Sequence, residues 1–209
     1  IMPAPTEQTL SPLSDMVVKG DYDLGIAMDG DGDRLGIIDK DGTYINANEI
    51  LCMLYYYLVK YKGWKGAVVR NLATTHMLDK IAESFGEKCY EVPVGFKYIS
   101  SKIDEVDAVL GGESSGGLTV RGHIHGKDSV YAASLFAEMI SVTGKSPVVI
   151  MKEDGRLTTI LESVGKLGQE IETHEVPQDI QLTYVEPIEY MPEELRKEFK
   201  LGEYAEDDE

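Results

Sequence analysis

The feature that most constrains the fold is a regular alternation of short apolar runs with helical patterns between residues 67 and 112. The segments AVVR, KCYEV and AVLGG are typical of buried strands, and TTHMLDKIAESFG and FKYISSKIDEV, which separate them, have helical periodicity. Strands joined through helices in this way pair in parallel, with right-handed crossovers and with helices covering the sheet. The sequence therefore predicts an α/β fold with mixed, largely parallel sheets covered by helices.

The segments on either side extend this pattern. Residues 6–19 predict a helix with Met16 on its apolar face, and Asp41-Gly42 predicts a hairpin turn between two short strands. Asn46 or Asn48 can cap a helix that ends near Gly63, and residues 128–144 predict another helix. The apolar run VVIM at 148–151 suggests a strand.

An acidic loop lies between two of these apolar strands, in the stretch LGIAMDGDGDRLGIID at residues 24–39. Asp29, Asp31 and Asp33 alternate with glycines, and their mutual repulsion costs free energy unless a cation offsets it. The run is too short and too closely flanked by apolar residues to be a solvated acidic tail. Because hard divalent cations prefer carboxylate oxygens, these residues predict a metal-binding loop.

Three further loops carry polar side chains where strands are predicted to end, the edge at which α/β sheets bind ligands. In VPVGFK, a glycine permits a tight turn and a lysine can meet a phosphate; GGESSGG combines a carboxylate with two hydroxyls; GHIHGKDS carries imidazoles, a lysine and an aspartate. The candidate residues are Gly95, Lys97, Glu113, Ser114, Ser115, His123, His125, Lys127 and Asp128. Together they offer cations for phosphate and hydrogen-bonding groups for sugar hydroxyls.

Composition and charge exclude several classes of partner. The net charge of -17 argues against nucleic acid, whose phosphate backbone needs clusters of lysine and arginine. No apolar run approaches the ~20 residues of a membrane span, so no membrane partner is expected. The two cysteines, Cys52 and Cys89, fit no metal or redox spacing and favour a reducing, cytoplasmic setting. The end of the chain, EYAEDDE, is expected to be solvated or disordered.

At its four loops the chain resembles the α-D-phosphohexomutase superfamily, the phosphoglucomutase and phosphomannomutase enzymes. DGDGDR resembles the metal loop of that superfamily, VGFK its GFK segment, GESSGG its GEESGG sugar loop, and HIHGKD its HIREKDG-like segment. The opening PAPTEQTLSPL is similar to PEPTEENL, and the segments follow the same order. The resemblance covers residues 3–145 and implies phosphohexomutase-type α/β/α domains.

The resemblance implies an isomerase, an intramolecular phosphotransferase that interconverts hexose 1-phosphate and hexose 6-phosphate through a phosphoserine and a hexose bisphosphate. Its implied cofactor is Mg2+, bound by Asp29, Asp31 and Asp33. The other implied site residues are Arg34 beside the phosphoserine, Lys97, His123 and Lys127 around the phosphate or the reacting hydroxyl, and Gly95, Glu113, Ser115 and Lys127 in the substrate-binding segments.

Two expected motifs are not in this sequence. The nucleophilic serine of the superfamily lies in a loop like TASHNP, and its last-domain phosphate loop resembles RxSGTE. We therefore expect a fragment in which residues 1–45 end the second domain, residues 46–145 form the third, and residues 146–209 are a linker and acidic tail. We expect the fragment alone to be inactive. Its expected partners are hexose phosphate, hexose bisphosphate and the missing domains of the same parent chain.

Two other functions compete with this interpretation. IIDKDGTY at residues 37–44 resembles the first motif of haloacid-dehalogenase-type phosphatases, in which Asp39 would be the nucleophile and Asp41 the acid. Alternatively, DGDGDR has the spacing that starts a calcium-binding loop, although Arg34 and Lys40 stand where such a loop has glycine and glutamate. A preference for Mg2+ over Ca2+ would distinguish the mutase from the calcium-binding module.

Overall fold

The computed structural model describes residues 4–153, so the predicted acidic tail lies outside the described residues. The strands are β1 (Leu24–Met28), β2 (Leu35–Asp39), β3 (Tyr44–Ile45), β4 (Val68–Asn71), β5 (Cys89–Val92), β6 (Leu110–Gly112) and β7 (Leu118–Val120). The helices are α1 (Ser11–Gly20), α2 (Ala47–Lys60), α3 (Met77–Ser84), α4 (Phe96–Val106), α5 (Ser129–Thr143) and α6 (Pro147–Glu153). The α/β class predicted from the sequence is confirmed.

The first sheet is antiparallel, in the order β1-β2-β3. The predicted turn at Asp41-Gly42 joins β2 to β3, and every residue of β2 is buried. Helix α1 packs on this sheet through Val17, which meets Ile38 in a small core cluster. Met16 is 61% exposed, so its predicted place on the buried face of α1 was wrong.

The second sheet has the order β5-β4-β6-β7. Strands β5, β4 and β6 are parallel, as predicted, and β7 turns back antiparallel beside β6. Helix α4 covers one face, where Val69 and Val92 pack against Ile99. Helices α2, α3 and α5 contribute to the larger core cluster on the other face, which also takes in residues of β2. This arrangement joins both sheets through one continuous core.

Helix α2 is the centre of that larger core. Its start is fixed locally, because the Asn46 side chain accepts the N–H of Glu49 while Glu49 accepts the N–H of Asn46. All residues from Ile50 to Leu58 are buried, so the helix is covered on every side. The 3.6-residue periodicity of its sequence predicted a helix with one apolar face. The helix is instead apolar on all sides, as is typical of a helix enclosed by the core.

The run VVIM belongs to helix α6 and not to a strand. Pro147 starts the helix at the position where its missing N–H costs nothing. The buried carboxylate of Asp39 accepts the N–H of Val148 at 2.9 Å and so satisfies an amide at the helix start. This stabilising contact comes from a residue far away in the chain and has no local sequence signal. No helix among residues 4–153 is long and apolar enough to span a bilayer.

Candidate active site

The acidic loop follows β1 and brings its three carboxylates together. One oxygen from each of Asp29, Asp31 and Asp33 lies within 4.8 Å of the others. Asp29 is buried at the end of the strand, Asp31 is exposed, and Asp33 lies between these extremes. The sequence-predicted metal residues therefore converge on one point at the surface of the loop.

The structure of the loop depends on Asp29. Its Oδ1 accepts the backbone N–H groups of Asp33 and Arg34 at 3.0 Å each, and its Oδ2 accepts from Nε of Arg34. Burial opposes ionisation of Asp29, but these hydrogen bonds outweigh it and hold its pKa well below the ordinary value. Asp29 is thus a permanently charged group at neutral pH, and Arg34 is fixed beside it.

The donor set fits a hard divalent cation. Three carboxylates supply only oxygen ligands, which Mg2+ and Ca2+ both prefer to nitrogen and sulfur. Within residues 4–153, this is the one cluster of three histidine, cysteine or acidic side chains arranged to bind a metal ion. Asp29, Asp31 and Asp33 are therefore the residues that could hold a metal.

The second acidic centre is Glu113, in the turn between β6 and β7. The N–H of Glu113 donates to the carbonyl of Gly117 at 2.9 Å, and the N–H of Gly116 donates back to the carbonyl of Glu113 at 3.0 Å. Ser115 is exposed, and its hydroxyl lies 3.4 Å from Glu113 Oε2. The tight turn thus presents a carboxylate and a hydroxyl side by side.

Lys127 joins the two acidic loops. Its Nζ lies 3.4 Å from Asp33 Oδ2 and 3.4 Å from Glu113 Oε2, and it faces the Phe96 ring at 5.7 Å. The aliphatic part of the side chain runs over Gly117, where an added Cβ atom would overlap Lys127 Cδ. A residue larger than glycine would therefore push this lysine out of its position.

Two hydrogen bonds anchor the start of α5, just after Lys127, to the acidic loop. Ser129, at the start of α5, donates both its N–H and its hydroxyl to the carbonyl of Gly32 in the acidic loop. A cleft of about 350 Å3 is lined by the opening segment at residues 4–6, by Arg34 at the end of the acidic loop, by Ser114 and Ser115, and by the start of α2. Its polar lining includes Arg34, Asn48 and Ser115. Both the volume and the polar lining suit a small hydrophilic ligand.

Two further predicted site residues, Gly95 and Lys97, lie at the start of α4. Lys97 is exposed in the first turn of α4, and its Nζ lies 4.9 Å from the centre of the Tyr98 ring. Gly95 precedes α4 with a φ of +127°, a conformation that requires glycine. The chain can therefore turn sharply into α4 at this point.

His123 is held by its own loop. Its Nε2 lies 2.8 Å from Asp128 Oδ2, and its ring stacks on Tyr131 with centroids 4.0 Å apart. The N–H of Tyr131, and then the His123 ring, keep the pKa of Asp128 below its ordinary value. The neighbouring His125 pairs with Asp104 at 3.1 Å. The structure thus gives both histidines contacts that organise the loop before Lys127.

Two buried residues of the site were missed from the sequence. Asn71 ends β4 and donates from Nδ2 to Glu113 Oε1 at 3.1 Å, and Thr74 donates to Asn71 Oδ1 at 2.8 Å. The available signal was their position, since β4 and β6 are parallel and end at the same edge of the sheet. A polar residue at the end of a buried strand is a candidate for contact with the loop that follows the neighbouring strand.

The phosphatase alternative conflicts with the geometry around Asp39. Its carboxylate is fully buried and accepts the backbone N–H groups of Lys40 and Val148. Asp41 lies in the hairpin turn, where its Oδ1 accepts the N–H of Thr43 at 2.9 Å. A nucleophile must be open to its substrate, whereas Asp39 stabilises a turn and a helix start.

Comparison with known proteins identifies the family. The phosphoglucomutase/phosphomannomutase alpha/beta/alpha domain III family matches residues 46–156, and the corresponding domain II family matches residues 1–42. The chain belongs to the phosphoglucomutase/phosphomannomutase family. This result confirms the resemblance drawn from the four loops.

Members of this family with related sequences include mutases from distant organisms. Phosphoglucomutase 1 of Drosophila melanogaster is 33% identical over 155 residues, which cover 72% of this chain and 28% of that protein. A phosphoglucomutase/phosphomannomutase of Thermococcus kodakarensis is 29% identical over 143 residues, covering 68% of this chain and 31% of that protein. The chain thus spans about a third of the length of these relatives.

Solved structures agree with this assignment. A protein from Thermus thermophilus, assigned as a phosphomannomutase, superposes with a TM-score of 0.70 at 32% identity, over 75% of this chain and 36% of that one. A phosphoglucomutase/phosphomannomutase family protein from Burkholderia thailandensis gives a TM-score of 0.60 at 25% identity, over 67% of this chain and 31% of that one. The mixed α/β fold is therefore that of the mutase family.

Proposed function

We propose that this chain supplies the metal-binding loop and the sugar-binding loop of a phosphohexomutase that interconverts hexose 1-phosphate and hexose 6-phosphate. The observation that carries the proposal is the position of Lys127, whose Nζ lies 3.4 Å from both Asp33 and Glu113. One cation thereby connects the carboxylates suited to a metal with the carboxylate suited to sugar hydroxyls. A substrate that carries both a phosphate and hydroxyls matches this combination.

In this proposal Asp29, Asp31 and Asp33 hold Mg2+. When bound, the metal would neutralise negative charge on the transferring phosphoryl group. Arg34 is kept in place by Asp29 and lines the cleft, and in this proposal it lies beside a phosphoserine supplied by another domain. The chain's own contribution is to position charged groups, which is the main requirement of phosphoryl transfer.

On the sugar side, Glu113 accepts hydrogen bonds from hydroxyls and Ser115 donates or accepts beside it. Lys127 supplies positive charge to the phosphate. Lys97 and His123 remain proposed neighbours of the phosphate or the reacting hydroxyl on the resemblance alone. Gly95 would let the start of α4 approach the substrate closely.

The division into domains is part of the same proposal. Residues 1–45 would end the second domain and residues 46–145 would belong to the third, with residues 146–209 beyond them. The two family matches, over residues 1–42 and 46–156, support the boundary near residue 45, whereas the second match extends past residue 145. The parent reaction would then need the missing domains, which supply the serine and the second phosphate site. Its substrates would be hexose phosphates and a hexose bisphosphate, and the two free cysteines favour the cytoplasm.

Metal titration tests the first half of the proposal. Calorimetry on the chain should detect the binding of Mg2+ or Mn2+. Single Asp→Asn changes at Asp29, Asp31 and Asp33 should each weaken that binding. The triple Asn variant should lose it. The metal-loop assignment is wrong if the triple variant binds Mg2+ as tightly as the unsubstituted chain does, or if the unsubstituted chain strongly prefers Ca2+.

Turnover tests the second half. A coupled assay with glucose 1-phosphate and its bisphosphate activator should give only background rates with the pure chain, because the phosphoryl group has no serine acceptor. Restoring the missing domains should restore turnover. Turnover by the chain alone would contradict the division of labour between domains.

A further inference from the structure

A buried hydrogen-bonded group outside the predicted loops holds the carboxylate of Glu113. Asn71 donates from Nδ2 to Glu113 Oε1 at 3.1 Å, and its own Oδ1 accepts the Thr74 hydroxyl at 2.8 Å and the Ala73 N–H at 3.0 Å. Asn71 and Thr74 are each 3% exposed, and Glu113 is 7% exposed. The interaction therefore takes place at the wall of the site, shielded from bulk water.

We propose that Asn71 and Thr74 are positioning residues that orient Glu113 toward the sugar, a role that rests on the function proposed above. Two donors converge on Asn71 Oδ1, and this assigns the opposite end of the amide as the NH2 group that faces Glu113. Oε1 of Glu113 is thereby held, and Oε2 faces Lys127 and Ser115. The carboxylate is fixed with one oxygen directed toward the groups proposed to bind the substrate.

Thr74 couples this orientation to the backbone of the sugar loop. Its hydroxyl donates to Asn71 and also accepts the N–H of Ser114 at 3.0 Å. The contacts form a closed ring through Asn71, Thr74, Ser114 and Glu113. A buried polar network in which each member has its partner is rigid, and removal of one member leaves the others unsatisfied. Loss of the Thr74 hydroxyl should therefore loosen both the turn and the carboxylate.

A merely structural network and a positioning network predict different kinetics. If the ring only stabilises the fold, its loss lowers the melting temperature and leaves the kinetic constants of the folded protein unchanged. If it orients Glu113, the folded variant binds the sugar poorly, because a catalytic or binding group must be held within about 0.5 Å of its productive position. The KM for hexose phosphate should then rise while the Mg2+ dependence of the rate stays the same.

The test uses matched substitutions in an intact mutase that contains this segment. Thr74→Val keeps the shape but removes the hydroxyl, and Thr74→Ser keeps the hydroxyl. We expect Thr74→Val to raise the KM by up to about tenfold, the upper end of the effect of one hydrogen bond between neutral groups, and Thr74→Ser to stay within about twofold of the parent. Thr143→Val, which removes a hydroxyl bonded to the carbonyl of Met139 at the end of α5, is the control for stability.

Asn71→Asp provides a second variant, because it keeps the side-chain shape but replaces the donor to Glu113 by a repelling carboxylate. It should raise the KM at least as much as Thr74→Val. The inference is overturned if folded Thr74→Val or Asn71→Asp keeps the parent KM, or if Thr74→Ser is as impaired as Thr74→Val. Glu113→Gln distinguishes failure of the positioning role from failure of the sugar-loop assignment. If it raises the KM while the Thr74 variants do not, only the positioning role fails; if it has no effect, the sugar-loop assignment fails as well.

Discussion

Replacement of Lys127 by methionine should strengthen metal binding while it weakens sugar-phosphate binding. Lys127 forms an ion pair with the acidic loop, and its Nζ lies 3.4 Å from Asp33 Oδ2. The lysine therefore competes with a divalent cation for the same carboxylate. Lys127→Met keeps most of the aliphatic chain that passes over Gly117 and removes only the charge.

The size of the effect follows from the distance and the exposure. Two unit charges 3.4 Å apart attract by about 1.2 kcal/mol in water and by about 5 kcal/mol at an effective dielectric constant of 20. The side chains of Lys127 and Asp33 are 24% and 30% exposed, so solvent screening brings the value toward the lower limit. A net gain of about 1–2 kcal/mol makes Mg2+ binding about five- to thirtyfold tighter.

Isothermal titration of Mg2+ into the chain measures this change directly. Lys102→Met is the matched control, because Lys102 is also partly exposed, at 26%, and also paired, with Glu105 at 2.7 Å on α4. The control should leave the Mg2+ affinity unchanged. An unchanged or weaker affinity in Lys127→Met would refute the reasoning, since Lys127 would then organise the loop and not compete for its charge.

Three other substitutions or reagents test the remaining parts of the structure. Arg70→Met should lower the free energy of unfolding in urea by about 2–3 kcal/mol at pH 7, because Arg70 is 2% exposed and pairs with Asp79 at 2.7 Å. Burial opposes ionisation of Asp79, but Arg70 outweighs it and lowers its pKa, so this loss should shrink as pH falls below the ordinary value of 3.8. A loss that persists unchanged at low pH would argue against the ion pair. Gly117→Ala should displace Lys127 and reproduce the tighter Mg2+ binding of Lys127→Met, and a parent-like affinity would show that the lysine has another route to the acidic loop. Burial raises the pKa of the Cys89 thiol to about 12, so a thiol reagent at pH 8 should label it only after unfolding; rapid labelling of the folded chain would contradict its environment.

The parts of the fold that could be predicted are those determined by neighbouring residues. Helix α2 starts at Asn46 because Asn46 and Glu49 cap each other within one turn. The parallel pairing of β4, β5 and β6 follows from the helices that connect them, and the β2–β3 hairpin follows from Asp41-Gly42. In each case the determining groups lie within one element or one connection.

The parts that could not be predicted depend on groups distant in sequence. VVIM lies in a helix whose first turn is stabilised by the distant Asp39, which accepts the N–H of Val148, and an apolar run alone does not distinguish a strand from a buried helix segment. Met16 lies at a helical spacing from Leu10 and Leu13, but the sheet packs against Val17 and leaves Met16 in solvent. Periodicity indicates an apolar face but not how much of that face the sheet covers.

The same difference between local and distant contacts explains which site residues could be predicted from the sequence. Asp29, Asp31 and Asp33 act as a unit within five residues, so their convergence needs only a local turn. Glu113 was recognisable from its glycine-rich turn, but its orientation depends on Asn71, which lies 42 residues earlier on a neighbouring strand. An asparagine at a strand end is chemically ordinary until the pairing of β4 with β6 brings it beside a carboxylate.

Lys127 could be predicted only in part, because its loop has a local sequence signal but its contacts depend on the fold. Its loop could be recognised from the sequence, but its position between Asp33 and Glu113 requires the chain to return from β7 to the acidic loop. That return is fixed by Ser129, which binds the carbonyl of Gly32, and by the absence of a side chain at Gly117. Two loops with unfavourable negative charge thereby share one cation. Each motif alone suggests a binding loop, whereas the shared lysine is the physical reason to treat them as one site.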